Sequence, residues 1–138
     1  MNIQSVRLME VNPHAPMDLA MLFHLLAERE PWQAISHREM PTWEQHVAFV
    51  RSEPYKAWYM IHCDGEIVGS TYFSHANEIG IFIFKKYKGR HIAKAAIMLL
   101  QSKHEGPYYA NINPENKASI LFFEKLGFEP LQVTYVQE

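Results

Sequence analysis

Between Glu78 and Ser102, an apolar strand runs directly into a short basic turn, and the turn opens a helix. The turn contains a glycine and three cations, Lys86, Lys88 and Arg90. The first N–H groups of a helix have no partners within it, and the aligned peptide dipoles place partial positive charge there. The apolar stripe of the helix packs it against a core, so these donors are held rigidly. The segment therefore predicts a site for a phosphate or pyrophosphate.

The composition limits the class of protein. A chain of 138 residues, 48% hydrophobic and 20% charged, suits one globular domain over residues 1–138. A net charge of −2 argues against a broad nucleic-acid surface, which would be basic. No apolar run is long enough to span a bilayer, no signal-peptide core is present, and the single Cys63 cannot form an internal disulfide. We therefore expect a cytoplasmic protein without a membrane or nucleic-acid partner.

Local signals divide the chain into ten elements. Thr42 and Gln45 have capping-box spacing, and Asp64-Gly65 is typical of a hairpin turn. Asn113, followed by proline, predicts a helix N-terminus. The predicted order is β-α-α-β-β-β-α-β-α-β, which indicates a mixed α+β fold with a mostly antiparallel central sheet and helices on both faces. The strands are predicted at 6–10, 57–63, 66–74, 78–84, 108–112 and 133–136, and the helices at 17–29, 42–52, 92–102 and 113–126.

The fourth predicted helix has two distinct stripes. Asn116, Ser119 and Phe123 lie at i, i+3 and i+7 and so share one stripe. This stripe fits a ligand-binding face, a plain surface face, or a cap formed by Asn116. A separate apolar stripe is better suited to the core, and it consists of Ala118, Leu121 and Phe122.

Together these motifs resemble a known family. The segment Tyr87–Ala93 resembles the acetyl-CoA loop of the GNAT superfamily of N-acyltransferases, which reads Arg/Gln-x-x-Gly-x-Gly/Ala. The segment Asn116–Phe128 resembles that family's C-terminal helix signature. Glu-Ile-Gly before the loop is similar to the branch that includes ribosomal-protein N-terminal acetyltransferases. The loop alone is a weak signal, but the two motifs at this separation are a strong one. The resemblance covers nearly the whole chain and implies an acetyl-CoA-dependent N-acetyltransferase.

The resemblance also implies a binding mode for acetyl-CoA. The pantetheine arm would enter a gap between the fourth and fifth strands and pair with the main chain of Phe82, Ile83 and Phe84. Asn116 would hydrogen-bond this arm, and Phe123 would pack against it. No metal is expected, because no histidine pair has i, i+4 spacing with a third ligand nearby. The pyrophosphate would be wrapped, mainly by backbone N–H groups, by Lys88, Gly89, Arg90, His91, Ile92 and Ala93.

Two residues depart from the family pattern. His91 stands where the family prefers glycine, and its Cβ narrows the approach to phosphate unless the backbone there is helical. His91 could instead add a side-chain donor to the phosphates. Phe123 stands where many members carry a tyrosine that protonates the departing thiolate. Since phenylalanine has no proton to give, that acid is missing or replaced.

Acetyl transfer to an amine needs a base, and Glu78 is the first candidate. It shares a strand face with Gly80, which would leave space beside it. The alternative is a strand-end glutamate in solvent. His37 and His75 are weaker candidate bases, with suitable reference pKa values near 6.5.

Two hydroxyl residues are candidate acids for the leaving thiolate. Ser119 matches a serine in the resembled branch, and Tyr135 on the last predicted strand is the second choice. A backbone N–H from Phe82–Phe84 would bind the oxyanion that develops on the acetyl group.

The acceptor is the least determined part of the reaction. In the resembled fold the segment between the first two helices borders the acceptor site, and here it contains Trp32 and His37. Its mixed charges do not favour a polyamine. We expect a primary amine on a small metabolite (an amino sugar or sugar nucleotide) or a protein N-terminus.

Two other functions, and the oligomeric state, stay open at this stage. His91 and Phe123 also fit a non-catalytic acyl-CoA-binding or regulatory module. A loop that binds another nucleotide is a third reading. The family contains many dimers, which leaves a homodimer open.

Overall fold

The computed structural model describes residues 5–30, 39–89 and 91–138. Its four strands are β1 (Arg7–Glu10), β2 (Ala57–Cys63), β3 (Glu66–Phe73) and β4 (Ile79–Ile83). Its four helices are α1 (Pro16–Ala27), α2 (Trp43–Arg51), α3 (Ile92–Lys103) and α4 (Lys117–Lys125), and a 3-10 turn, Lys85–Tyr87, follows β4. None of the helices found in these ranges is long and apolar enough to cross a membrane.

Two of the predicted local signals are present as expected. The Gln45 N–H donates to Thr42 Oγ1 over 3.2 Å, and the Thr42 N–H donates to Gln45 Oε1 over 3.0 Å, which completes the capping box of α2. Asp64 and Gly65 connect β2 to β3 with φ values of 51° and 80°. Two consecutive left-handed residues make the type of hairpin turn whose twist matches the flanking strands.

The sheet is antiparallel in the order β1-β2-β3-β4, and helices cover both of its faces. Three consecutive residues of β2, Tyr59, Met60 and Ile61, are all buried, in clusters that contain side chains of α1 and α3. Because neighbouring residues of a strand point to opposite faces, both faces of the sheet are covered. The predicted mixed α+β class is confirmed.

Two of the six predicted strands are wrong. In 108–112 the only sheet contact among the described residues is a parallel bridge between Glu78 and Tyr109. Beyond this bridge the segment leaves β4, so the ladder ends. Residues 133–136 are all of types that favour strands, but they are exposed and form no strand. Without a neighbouring strand the segment has no partner to pack or bond against.

The fourth helix begins later than predicted and buries a different stripe. Its N-cap is Asn116, while Asn113 accepts the Glu115 N–H in the preceding turn. Phe123 is the buried side chain of α4, and Leu121 is 59% exposed. The apolar stripe assigned to the core was therefore wrong, because the approach angle of α4 turns the Phe123 side inward.

Candidate functional site

The edge of the sheet beside β4 is open. Ser74 N–H donates to the Glu78 carbonyl over 2.9 Å, and Phe84 N–H donates to the Val68 carbonyl over 3.0 Å. In an antiparallel ladder the bonded pairs alternate, so residues 78, 80, 82 and 84 direct their main-chain groups toward β3. The main-chain groups of Ile81 and Ile83 therefore point away from β3, toward the open edge.

The open edge widens into a gap beyond Tyr109. Ile79 N–H donates to the Tyr109 carbonyl over 2.7 Å, and Tyr109 N–H donates to the Asn77 carbonyl over 2.9 Å. Within the described ranges, no residue past this point bonds to the main chain of Ile81 or Ile83 on that edge. The gap is thus lined by free strand donors and acceptors on one side.

This geometry divides the predicted arm-binding residues. Among Phe82, Ile83 and Phe84, only Ile83 directs its main chain into the gap, because the other two bond to β3. Ile81 shares the orientation of Ile83 and was not predicted. Strand register decides which main-chain groups face the gap, and the sequence does not reveal the register.

The basic turn is anchored before it reaches α3. The buried Tyr87 donates its hydroxyl to Glu66 Oε2 over 2.5 Å. Lys85 donates its N–H to Glu28 Oε1 over 2.8 Å, and its ammonium pairs with Glu30 at 2.7 Å. Lys88, Gly89 and His91, which follow these anchors, are exposed and available to a ligand.

The backbone at His91 is left-handed rather than helical. Its φ is 61° and its ψ is 14°, and Gly89 has a φ of 79°. The left-handed region costs a non-glycine residue about 1–2 kcal/mol. His91 thus adopts the conformation of the glycine it replaces, and no side chain caps the first N–H groups of α3.

Glu78 lies at the closed end of the gap and is half-buried. Its two carboxylate oxygens accept from different residues: Oε1 from the Ser74 hydroxyl over 3.3 Å and Oε2 from the Asn111 amide. Its own N–H donates to Ser74 Oγ over 2.9 Å. It is therefore a positioned carboxylate rather than a strand-end glutamate in free solvent. Its role as the base stays a prediction.

The space expected beside Glu78 is filled. Tyr72 lies opposite Gly80 on β3, and a β-carbon at Gly80 would overlap the Tyr72 ring. The ring also stacks on Tyr55, with centroids 3.9 Å apart and planes 4° from parallel. Burial raises the pKa of Tyr72, and the charge of Glu78 raises it further, while Arg29 lowers it. The signal that the sequence analysis missed is a tyrosine directly opposite a glycine on the neighbouring strand.

The predicted α4 residues have mainly structural contacts. Asn116 Oδ1 accepts the Ser119 N–H over 3.2 Å, so the capping interpretation of Asn116 is confirmed. Its amide nitrogen is the group still able to donate to a ligand. Ser119 is half-buried, and Phe123 is only 5% exposed, packed edge-on against its neighbours Phe122 and Phe128.

The remaining candidates are exposed or lie outside the described residues. His75 is exposed in the turn before Glu78, and Tyr135 is 89% exposed near the C-terminus, away from any strand. Trp32, His37 and Arg90 lie outside the described residues.

The residues present fit an elongated thioester carrier with a pyrophosphate. Ile92 and Ala93 contribute uncapped N–H groups at the start of α3, and Lys88 adds a cation nearby. Ile81 and Ile83 offer an amide-bonding edge for an extended, amide-containing arm. This edge leads back to Glu78.

Comparisons with known proteins agree with this geometry. The sequence profile of the Acetyltransferase (GNAT) family matches residues 19–128. An acetyltransferase from Thermus thermophilus superposes with a TM-score of 0.73 at 20% identity, over 94% of this chain and 90% of its own. No curated protein sequence matches significantly.

Two further structures were solved with the expected ligand. The microcin C7 self-immunity acetyltransferase MccE, in complex with acetyl-CoA and AMP, gives a TM-score of 0.65 at 18% identity, over 90% of this chain and 78% of its own. A ribosomal L7/L12 alpha-N-protein acetyltransferase, in complex with coenzyme A, gives a TM-score of 0.66 at 16% identity, over 88% of this chain and 78% of its own. At these identities the likeness is one of fold.

Proposed function

The chain belongs to the GNAT acetyltransferase family, and we propose that it moves an acetyl group from acetyl-CoA to a primary amine by direct attack on the thioester. The acceptor is a small metabolite, such as an amino sugar or sugar nucleotide, or a protein N-terminus. The observation that carries this proposal is the open edge of β4, which runs from Glu78 at one end to the glycine-containing turn at the other.

The turn holds the diphosphate in this proposal. Left-handed residues at Gly89 and His91 direct the chain into α3 so that its uncapped N–H groups face outward. Lys88 and Arg90 add positive charge. The tie between Lys85 and Glu28 keeps the start of the turn in place while the ligand binds.

Glu78 receives the proton that the amine must lose. A bound ammonium cannot attack a carbonyl, so a carboxylate at the reacting end of the gap favours the neutral amine. The Asn111 amide and the Ser74 hydroxyl orient the carboxylate. Acetyl-CoA supplies the activated acetyl group, and the N–H of Ile81 or Ile83 is placed to bind its oxygen.

The acceptor classes rest on indirect support. The L7/L12 enzyme acts on a protein α-amine, which supports the N-terminus, and the microcin immunity enzyme was solved with AMP, which supports a nucleotide-bearing amine. Trp32 and His37, between α1 and α2, stay our candidates for contacts with the acceptor.

A non-catalytic acyl-CoA-binding or regulatory module is the second candidate. It is favoured by Phe123, which lies where a proton donor is expected and is buried among other rings. Release of free CoA thiol from acetyl-CoA, tested with amino sugars, nucleotide amines and N-terminal peptides, separates the two. Thiol release with one amine class supports transfer, and tight CoA binding without release from any amine supports the module.

Glu78→Gln tests the proposed base. We expect kcat/KM to fall about 10²-fold near neutral pH, with the loss shrinking at alkaline pH, where the amine is neutral before it binds. The affinity for acetyl-CoA should not change. The rate is measured against pH beside Glu44→Gln, an exposed carboxylate in the first turn of α2. A pH–rate profile that matches the wild type would remove Glu78 as the base.

A further inference from the structure

Resting on the proposed acetyl transfer, we propose that the Tyr72 phenol is the acid that protonates the departing CoA thiolate. The family position for that acid holds Phe123, which cannot donate a proton. Tyr72 comes from β3 instead of α4, and its ring lies over Gly80 of β4, the strand that borders the gap.

Gly80 allows this approach. A strand side chain normally stands over its own strand, but a glycine opposite leaves room for an aromatic ring to lean across the partner. The Tyr72 ring occupies the volume of the missing Gly80 β-carbon, and its closest atoms there belong to the ring edge next to the hydroxyl. The hydroxyl is thus carried toward β4, the strand that borders the gap.

The ring is held in place by its neighbours. Tyr55 stacks on it at 3.9 Å, and Phe82 packs beside it at 6.3 Å between centroids. Within the described part of the chain, the Tyr72 hydroxyl makes no hydrogen bond that would compete with a thiolate. The structure therefore supplies a positioned phenol with a free proton.

The groups around Tyr72 leave its phenol protonated. Burial raises the pKa of the phenol, the charge of Glu78 at the start of β4 raises it further, and Arg29 after α1 has a smaller opposite effect. A phenol is protonated at neutral pH even at its ordinary pKa, so the proton is present when the thiolate forms. A serine hydroxyl, such as that of Ser119, is a far weaker acid than a phenol.

The proton transfers balance across one turnover. Glu78 accepts a proton from the amine as the nitrogen–carbon bond forms. Tyr72 gives its phenol proton to sulfur as the carbon–sulfur bond breaks. Glu78 then returns its proton to the Tyr72 phenolate. The amide and the free thiol leave, and both residues regain their starting protonation states.

Tyr72→Phe tests this assignment because it keeps the stacked ring and removes only the proton. With acetyl-CoA and an amine that the wild type acetylates, we expect kcat to fall about 10²-fold while the Kd for acetyl-CoA stays within about twofold. Tyr59→Phe is the matched control: Tyr59 lies on the opposite face of the sheet, bonded to His104 at 2.7 Å. Its kcat should match the wild type.

The acetyl selenoester of CoA separates acid catalysis from a structural role. A selenolate is a much weaker base than a thiolate and leaves without a proton, so the Tyr72→Phe loss should shrink to about threefold or less with this donor. An equal loss with both donors, or no loss with acetyl-CoA, overturns the assignment of Tyr72.

Gly80→Ala gives an independent check if Tyr72→Phe folds poorly. The added β-carbon would displace the Tyr72 ring while the phenol is retained. We expect kcat to fall with the thioester and to fall much less with the selenoester. An equal fall in kcat with both donors contradicts the proposal. Absence of thiol release by the wild type with every amine would instead overturn the proposed function itself, and this inference with it.

Discussion

At the scale of single residues, the turn before α3 depends on two left-handed positions. Gly89 takes φ 79° without cost, and a β-carbon added there would contact nothing within 4 Å. His91 takes φ 61° at some cost, since its side chain makes no cap bond that offsets the strain. Backbone strain persists where it serves a function, which agrees with the phosphate-binding role that we propose for this turn.

Gly89→Val should weaken acetyl-CoA binding by at least about tenfold, because a β-branched residue strains the left-handed backbone and displaces the phosphate donors. Gly65→Val is a close control: Gly65 has φ 80°, also with open space around it, but lies in the β2–β3 turn. Both variants should lose about 1–2 kcal/mol of unfolding free energy. Calorimetric titration with CoA measures the affinity. Equal affinities for the two variants would contradict a phosphate-binding role for the turn.

At the scale of elements, β4 and α4 each combine a structural role with a proposed ligand contact. Alternate residues of β4 bond to β3 through their main-chain groups, and the main-chain groups of Ile81 and Ile83 face the gap instead. The N-cap of α4 uses the side-chain oxygen of Asn116, and the side-chain amide nitrogen is the group that we propose for a ligand. The capping role and the proposed ligand contact therefore reside in different atoms and can be separated by substitution.

Asn116→Asp keeps the capping oxygen and removes the amide donor, whereas Asn116→Ala removes both. We expect Asn116→Ala to lose about 1 kcal/mol of unfolding free energy and Asn116→Asp to lose about 0.5 kcal/mol or less. Both should bind acetyl-CoA more weakly than the wild type. Urea denaturation and CoA titration of the three proteins give the two quantities. Wild-type affinity in Asn116→Asp would show that the residue is only a cap.

At the scale of the whole molecule, the described core extends as far as Phe128. The cluster that contains Tyr59 and Ile97 also contains Phe123, and the partly buried Phe128 packs against it. Beyond it Leu131, Val133 and Tyr135 are more than 70% exposed in the described structure, at 73%, 77% and 89%. These side chains bury too little apolar area to stabilise the monomer.

Removal of residues 131–138 should therefore change the unfolding free energy by less than about 0.5 kcal/mol. Urea denaturation of the shortened and full chains provides the comparison, and light scattering of both provides the oligomeric state. A larger loss of stability, or a change in mass per particle, would mean that this segment packs on a sheet edge in solution. Either its own sheet or a second copy of the chain could supply that edge.

The sequence by itself determined the features that depend on a few adjacent residues. The capping box at Thr42, the hairpin turn at Asp64-Gly65 and the strand–turn–helix around Gly89 have local physical causes, and each was predicted. The family also followed from two short motifs. A local signal needs no knowledge of what packs across from it.

Only the tertiary structure decided how these elements face one another. Tyr72 reaches over Gly80 because register places the two residues opposite, and Phe123 is buried because of how α4 approaches the sheet. The strand predicted at 133–136 has no partner strand, and the segment after Tyr109 leaves β4 to open the gap. Register, approach angle and strand partnership are set by contacts between residues distant in the chain. Their free energies appear only once the whole core has assembled.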